Sequence, residues 1–422
     1  MQKTLYGFLL LLCLYGPGGS AQTYQLVIKG GHVIDPKNNR NGVMDVAINA
    51  DTIAAVARNI DPGSARQVVQ AKGMYVTPGL IDLHGHVFAG TEPDHYLSNG
   101  LVAVMPDGFT FRVGVTTIVD AGGAGWKSFP AFKQNVIGPA KTRVLSFLNI
   151  VGEGMRGGAY EQNLDDMDAQ KAAEAARANP EHVVGFKLAH FQGHDWTPTD
   201  RVVEAGTLAN LPVMIDFGGS TPPLPLEELF LRRLRPGDIY THAFARLDGN
   251  VRETLVDEAT GRVKPFVAAA RQRGILFDVG YGGASFNYSQ ALPAVKSGFY
   301  PNTISTDLHT GSMNGSMKDL LSVMSKFLGM GMDLPAVIRA ATWAPAQAIK
   351  REALGHLSVG APADVAVLTL REGNFGFYDK TGYKVPGTRK FECELTVRAG
   401  KVVYDLNGIT DPVVVTNTAT KK

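Results

Sequence analysis

The chain has 422 residues, of which 45% are hydrophobic and 19% charged, with a formal net charge of +2. That length exceeds what one hydrophobic core usually fills and points to two domains. The near-neutral balance supplies no field for a polyanion, which excludes nucleic acid as a principal partner.

Met1, Gln2 and Lys3 give a basic start, residues 5–15 an apolar core, and Gly18-Gly19-Ser20-Ala21 the small residues that precede a cut. Residues 1–21 therefore read as a secretory signal peptide, with the periplasm as the expected address in a Gram-negative host. The apolar core is too short for a stable bilayer span. No second run of spanning length follows, so no membrane span is expected after cleavage. Removal of Cys13 leaves Cys393 alone, which rules out an intramolecular disulfide.

Within 22–75 short strands are expected at 25–29, 32–34, 45–48 and 52–56, broken by Gly30-Gly31 and Pro36-Lys37-Asn38-Asn39. A matching set is expected within 355–412, at 363–368, 393–397 and 401–404. The two sets suggest one small β-sandwich built from both termini, with 413–422 as a polar tail. Between them, residues 76–354 carry eight short apolar runs: 75–86, 115–122, 144–151, 183–190, 213–218, 239–245, 275–282 and 304–309. Apolar residues recur at helical spacing in 165–178, 226–233, 265–273 and 334–341. Eight alternating β and α units make the class α/β, and the count is that of a (β/α)8 TIM barrel.

Several runs end in groups that rarely stand buried unless paired or bound to metal. The first ends in His84-Gly85-His86, whose two imidazoles point the same way along a strand. Neutral imidazole is the commonest side-chain metal ligand. The fourth run carries Lys187, the fifth Asp216, the sixth His242 and the eighth Asp307. In a parallel barrel all of them fall at the mouth, where such folds place their active sites.

The segments around these residues are Pro78-Gly79-Leu80-Ile81-Asp82-Leu83-His84-Gly85-His86, Gly185-Phe186-Lys187, Thr241-His242, Ser305-Thr306-Asp307-Leu308-His309 and Gly360-Ala361-Pro362-Ala363-Asp364. With Arg235-Pro236-Gly237-Asp238-Ile239 and Thr342-Trp343-Ala344-Pro345-Ala346-Gln347-Ala348, they make the chain resemble the amidohydrolase superfamily of metal-dependent barrel hydrolases. The likeness is strongest to the deacetylase branch near dihydroorotases and D-aminoacylases. The resemblance implies two divalent ions, usually zinc, with His84, His86 and Asp307 on one and a carboxylated Lys187 bridging to the second, near His242. It also implies that Asp307 takes the proton of the attacking water and delivers it to the leaving amine.

The family normally offers a histidine at the fifth strand, where this chain has Asp216. A carboxylate is a competent zinc ligand and a harder one, which admits manganese or cobalt. The competing reading is that Asp216 misses the metal and the site holds one ion. For substrate, Arg156 in the glycine-rich 152–158 segment either reaches a substrate carboxylate or lies in solvent, and Arg246 is the next candidate. His190 and His194 either line the pocket or support the ligands. The Tyr281 phenol either donates to a substrate carbonyl or packs.

The expected activity is exported, metal-dependent hydrolysis of a carbon–nitrogen bond other than a peptide bond, with an N-acyl amino acid or related small acylated carboxylate as substrate. A cyclic amide, a dipeptide or an acyl ester would suit the same site. A silent interaction barrel is opposed by the retained His84, His86, Lys187, His242 and Asp307. Assembly into a homo-oligomer stays open.

Overall fold

The structure is a computed structural model that describes residues 23–90, 103–216 and 218–410. The signal-peptide segment, the 413–422 tail, His95 and Phe217 lie outside the described residues. Among the described residues, no helix is long and apolar enough to cross a membrane.

Seven strands form a parallel sheet in strict chain order: β1 (Leu80–Gly85), β2 (Val115–Gly125), β3 (Arg143–Asn149), β4 (Val183–Leu188), β5 (Val213–Ile215), β6 (Ile239–Tyr240) and β7 (Leu276–Phe277). Neighbours in sequence being neighbours in space is what short helical crossovers produce. Leu83, Val119, Phe147, Val184, Met214 and Ile239, one from each of six consecutive strands, pack together with Ala348 and Ile349.

The eighth apolar run forms no ladder. It makes single parallel bridges, Asp278 with Thr303 and Leu308 with Gly85, and so touches both edges of the seven-stranded sheet. Backbone hydrogen bonds run from Val279, Tyr281 and Gly282 to Thr303, Ser305 and Thr306 on one side, and from His86 to Leu308 and Asp307 to His84 on the other.

β5, β6 and β7 are shorter than the apolar runs that encode them. Within the sixth and seventh runs the chain leaves extended geometry at His242, with φ of 56°, and Gly280, with φ of 45°; His190 and Asp307, in the fourth and eighth runs, have φ of 56° and 52°. A ladder cannot continue through left-handed residues.

The second sheet is mixed and draws strands from both ends of the chain. Its order is Lys401–Asp405, Lys384–Arg398, Val365–Tyr378, Tyr75–Pro78, Tyr24–Asp35, Arg40–Asn49 and Thr52–Ala57, with Ala65–Gln70 also paired to Tyr24–Asp35. Hydrogen bonding is unbroken through all eight strands, so the expected sandwich takes the form of one continuous sheet. Gly30-Gly31 does not end a strand as expected; it makes a bulge within Tyr24–Asp35. A Cβ at Gly31 would run into Val76 on the neighbouring strand. The 75–86 run is also divided, Tyr75–Pro78 joining the mixed sheet and Leu80–Gly85 the parallel one.

The hairpin of Val365–Tyr378 with Lys384–Arg398 extends well beyond the strands expected at 363–368 and 393–397. Its outer part is polar and glycine-rich, but Phe377 and Phe391 are buried, and the Phe391 amide donates to Ser325 Oγ at 3.0 Å on helix Leu320–Gly329. The helical stretches appear as Ala169–Ala178, Pro265–Gln272 and Leu334–Ala340, while Leu226–Glu228 passes into a wider turn over Leu229–Arg233.

Candidate active site

His84, His86, Lys187, Asp216, His242 and Asp307 all line one cavity of about 580 Å³. His84 and His86 leave β1 two residues apart, Lys187 sits on β4, Asp216 and His242 follow β5 and β6, and Asp307 lies in the segment that touches β1. Ligand atoms of His84, His86 and Asp307 all lie within 4.8 Å of one another. His86 Nε2 is 2.8 Å from Asp307 Oδ1 and His84 Nε2 is 3.5 Å from the same oxygen. Lys187 Nζ stands 3.3 Å from His84 Nε2, and Asp216 Oδ2 stands 3.3 Å from His242 Nε2.

The outward partners fix how each imidazole faces. His242 Nδ1 meets the Gly280 carbonyl at 2.5 Å, which can only accept, so that nitrogen carries the proton. His190 Nδ1 meets Glu161 Oε2 at 2.9 Å, with the same consequence. The Thr241 hydroxyl donates to Asp278 Oδ2 at 2.8 Å and therefore accepts from His84 Nδ1 at 2.9 Å. His84 and His242 thus turn Nε2 inward, the arrangement in which outer hydrogen bonds orient metal-binding histidines.

Asp278 anchors this scaffold, also accepting from Thr303 Oγ1 at 2.5 Å and Ser305 Oγ at 2.7 Å. Left-handed residues other than glycine cost roughly 1–3 kcal/mol each and persist where the surroundings hold them. Three of them, His190, His242 and Asp307, are at this cavity.

Burial, with the neighbouring Lys187 charge, pushes His84 down to about 3, so it is neutral and able to ligate. Burial also lowers the Lys187 ammonium from its ordinary value. Burial opposes ionisation of Asp307 and Asp216, yet both lie below the usual carboxylate range: the hydrogen-bonded His86 imidazole helps to hold Asp307 down, and Arg252 and His190 help to hold Asp216 down. Two buried imidazoles and a buried carboxylate converging at one place are a donor set suited to a divalent ion such as zinc.

Comparison with known proteins gives this donor set its context. The profile of the amidohydrolase family matches residues 284–414. A protein named "Deacetylase" from Brucella anthropi is 32% identical over 367 residues, covering 85% of this chain and 87% of its own. This chain belongs to the amidohydrolase family. A "Deacetylase" from Enterococcus faecalis is 29% identical over 390 residues, covering 90% of this chain and 99% of its own. Crystal structures of an adenine deaminase and a dihydroorotase superpose with TM-scores of 0.80 and 0.78, each at 29% identity. They cover 91% and 90% of this chain, and 100% and 99% of their own. These neighbours imply a TIM-barrel-like fold, and the amidohydrolase is a hydrolase that acts on carbon–nitrogen bonds.

The substrate candidates divide. His190 lines the amidohydrolase cavity, with Nε2 3.4 Å from Asp216 Oδ2. Burial works against its protonation, but Glu161 and Asp216 raise it to about 9. Arg156 is turned to Glu153 Oε2 at 3.2 Å and over the Tyr160 ring, while its neighbours Met155, Gly157 and Gly158 line the cavity. Tyr281 takes the packed one of the two readings offered for it. It is buried against Phe286, its hydroxyl donates to the Tyr378 carbonyl at 3.0 Å and accepts from Lys326 at 2.6 Å, and it does not line the cavity. Arg246 pairs with Glu258, and His194 bonds the Pro222 carbonyl.

Sequence reasoning passed over Asp278, Glu161, Arg252, Asp82 and Asp120. The three aspartates lie inside apolar runs, and that placement was the signal. Asp82 accepts from Thr306, with burial raising it to about 7, and Asp120 accepts from the amides of Val87, Phe88 and Gly123. Glu161 and Arg252 lie in irregular segments with no periodicity to mark them.

Proposed function

We propose that this protein is an exported, metal-dependent amidohydrolase that removes the acyl group from N-acyl amino acids or related small acylated carboxylates. The observation that carries the reading is the convergence of His84, His86 and Asp307 on the cavity floor, in a chain whose relatives are named deacetylases. The signal-like pattern of residues 1–21 supports export, with the periplasm as destination. We read the seven-stranded sheet and the segment bridging its edges as a closed (β/α)8 barrel spanning 76–354, with 22–75 and 355–412 forming the composite β domain.

In this reading His84, His86 and Asp307 hold one divalent ion, and Lys187 as its carbamate, Asp216 and His242 hold a second. Zinc suits the nitrogen donors, and the three carboxylate-type donors also suit manganese or cobalt. The lowered Lys187 supports carbamylation, because a neutral amine is the form that adds to carbon dioxide. Bound divalent ions supply acidification of a water and polarisation of the scissile carbonyl.

The chain's own residues do the rest. Asp307, held ionised, takes a proton from the attacking water and returns it to the departing nitrogen. His84 and His242 present Nε2 to the cavity because Thr241 and Gly280 hold their other nitrogens. The glycine-lined wall at Gly157, Gly158, Gly218 and Gly219 leaves room for a small acylated molecule.

Hydrolysis of a panel of N-acyl amino acids, cyclic amides, dipeptides and acyl esters, with and without chelator and with Asp307→Asn, tests this. The expected result is acyl release from N-acyl amino acids that both treatments abolish. Turnover indifferent to both treatments would refute it.

A further inference from the structure

Arg252 follows β6 on the loop that carries Leu247, and both residues line the cavity beside Asp216. Its side chain is only 3% exposed. Nη2 donates to Asp216 Oδ1 at 2.6 Å, and among the described residues that is its one hydrogen-bonding partner. Nε is fully enclosed without a partner. A guanidinium has five N–H groups in a rigid fork, and leaving most of them unmet in a buried site is costly. The bond to one Asp216 oxygen holds the fork in place and leaves Oδ2 facing His242 Nε2 at 3.3 Å.

We infer that Arg252 receives the carboxylate of the substrate, deepening the N-acyl amino acid reading above, on which it rests. A planar carboxylate is the ligand that a fixed guanidinium edge matches with two parallel hydrogen bonds. The spacing agrees. Arg252 reaches His242 through the single residue Asp216, and the His242 and His84 rings are 5.0 Å apart between centroids. In an N-acyl amino acid only the amide nitrogen and the α-carbon separate the scissile carbonyl carbon from the carboxylate carbon. Arg156, the arginine favoured by sequence, is already paired with Glu153.

The test titrates the metal-loaded wild type, Arg252→Gln and Arg252→Lys with an N-acetyl amino acid and its carboxamide, following heat of binding and acetate release. The wild type should bind the carboxylate roughly tenfold or more tighter than the carboxamide, as expected for losing a charge-assisted pair. Arg252→Gln should erase that preference while leaving carboxamide binding within about twofold, which also shows that the variant is folded. Should Arg252→Gln fail to fold, Arg252→Lys decides. It keeps the charge beside Asp216 but not the fork, and must lose part of the preference. A wild type without preference, or variants that weaken both ligands equally, overturns the assignment. A binding preference without acetate release refutes the hydrolytic reading and leaves the Arg252 assignment standing.

Discussion

Gly280 is the backbone position on which the two central imidazoles depend, and replacing it with alanine separates strain from collision. Its φ of 45° and a built Cβ that would run into Thr241 Oγ1, and approach His242 Nδ1 at 2.9 Å and His84 Nδ1 at 3.0 Å, act together. Gly298 supplies the control, because its φ is 82° but nothing lies within 4 Å of a Cβ there. Gly298→Ala should cost about 1 kcal/mol, the ordinary penalty of a left-handed alanine. Gly280→Ala should add about 1–3 kcal/mol of overpacking. Because the methyl displaces the partners of His84 and His242, metal affinity should fall roughly 10–100-fold as well. Urea midpoints for both variants and metal retained after dialysis measure the two effects. If Gly280→Ala matches Gly298→Ala in midpoint and retains metal like the wild type, the reasoning about this contact is wrong.

Three further outcomes follow from the same geometry. Asp278→Asn removes the charge that three hydroxyls and, through Thr241, His84 depend on, and should weaken metal binding roughly 10–100-fold; competition with a chromophoric chelator reads it. Tyr281→Phe should lower stability by about 1–3 kcal/mol, because Lys326 loses a buried acceptor, while KM is unchanged; a raised KM with normal stability would place the phenol in the substrate site after all. Burial lowers Lys326 to about 7, so between pH 7 and 10 the unfolded chain binds a proton that the folded chain does not. Stability contributed at this position therefore rises with pH through that window, and the wild-type minus Lys326→Met difference in urea midpoint should climb with it; a flat difference contradicts the assignment.

The six strand-end residues were legible because each is a titratable group interrupting an apolar run, a pattern with a cost unless the groups meet. The alternation of strands and helices likewise followed from period. What stayed hidden has physical reasons. The lengths of β6 and β7 depend on left-handed residues such as His242, which no propensity marks. The outer part of the hairpin, between 369 and 392, was not marked as strand because its order comes from the contacts of Phe377 and Phe391 with the parallel-sheet unit. Arg252 and Glu161 reach the cavity from irregular segments, so their partners Asp216 and His190 became visible only in space. Arg156 and Tyr281 show the converse, since placement beside the cavity in sequence did not decide which way either side chain turned.

The central claim is that His84, His86, Lys187, Asp216, His242 and Asp307 together hold catalytic divalent metal. Elemental analysis of the purified protein beside its Asp307→Asn and Asp216→Ala variants, with hydrolysis of an N-acyl amino acid measured on the same samples, addresses it most directly. The account predicts two divalent ions per chain in the wild type, fewer in each variant, and acyl release that falls with metal content and returns when metal is restored. A wild-type protein that hydrolyses the substrate at full rate while free of metal would contradict it.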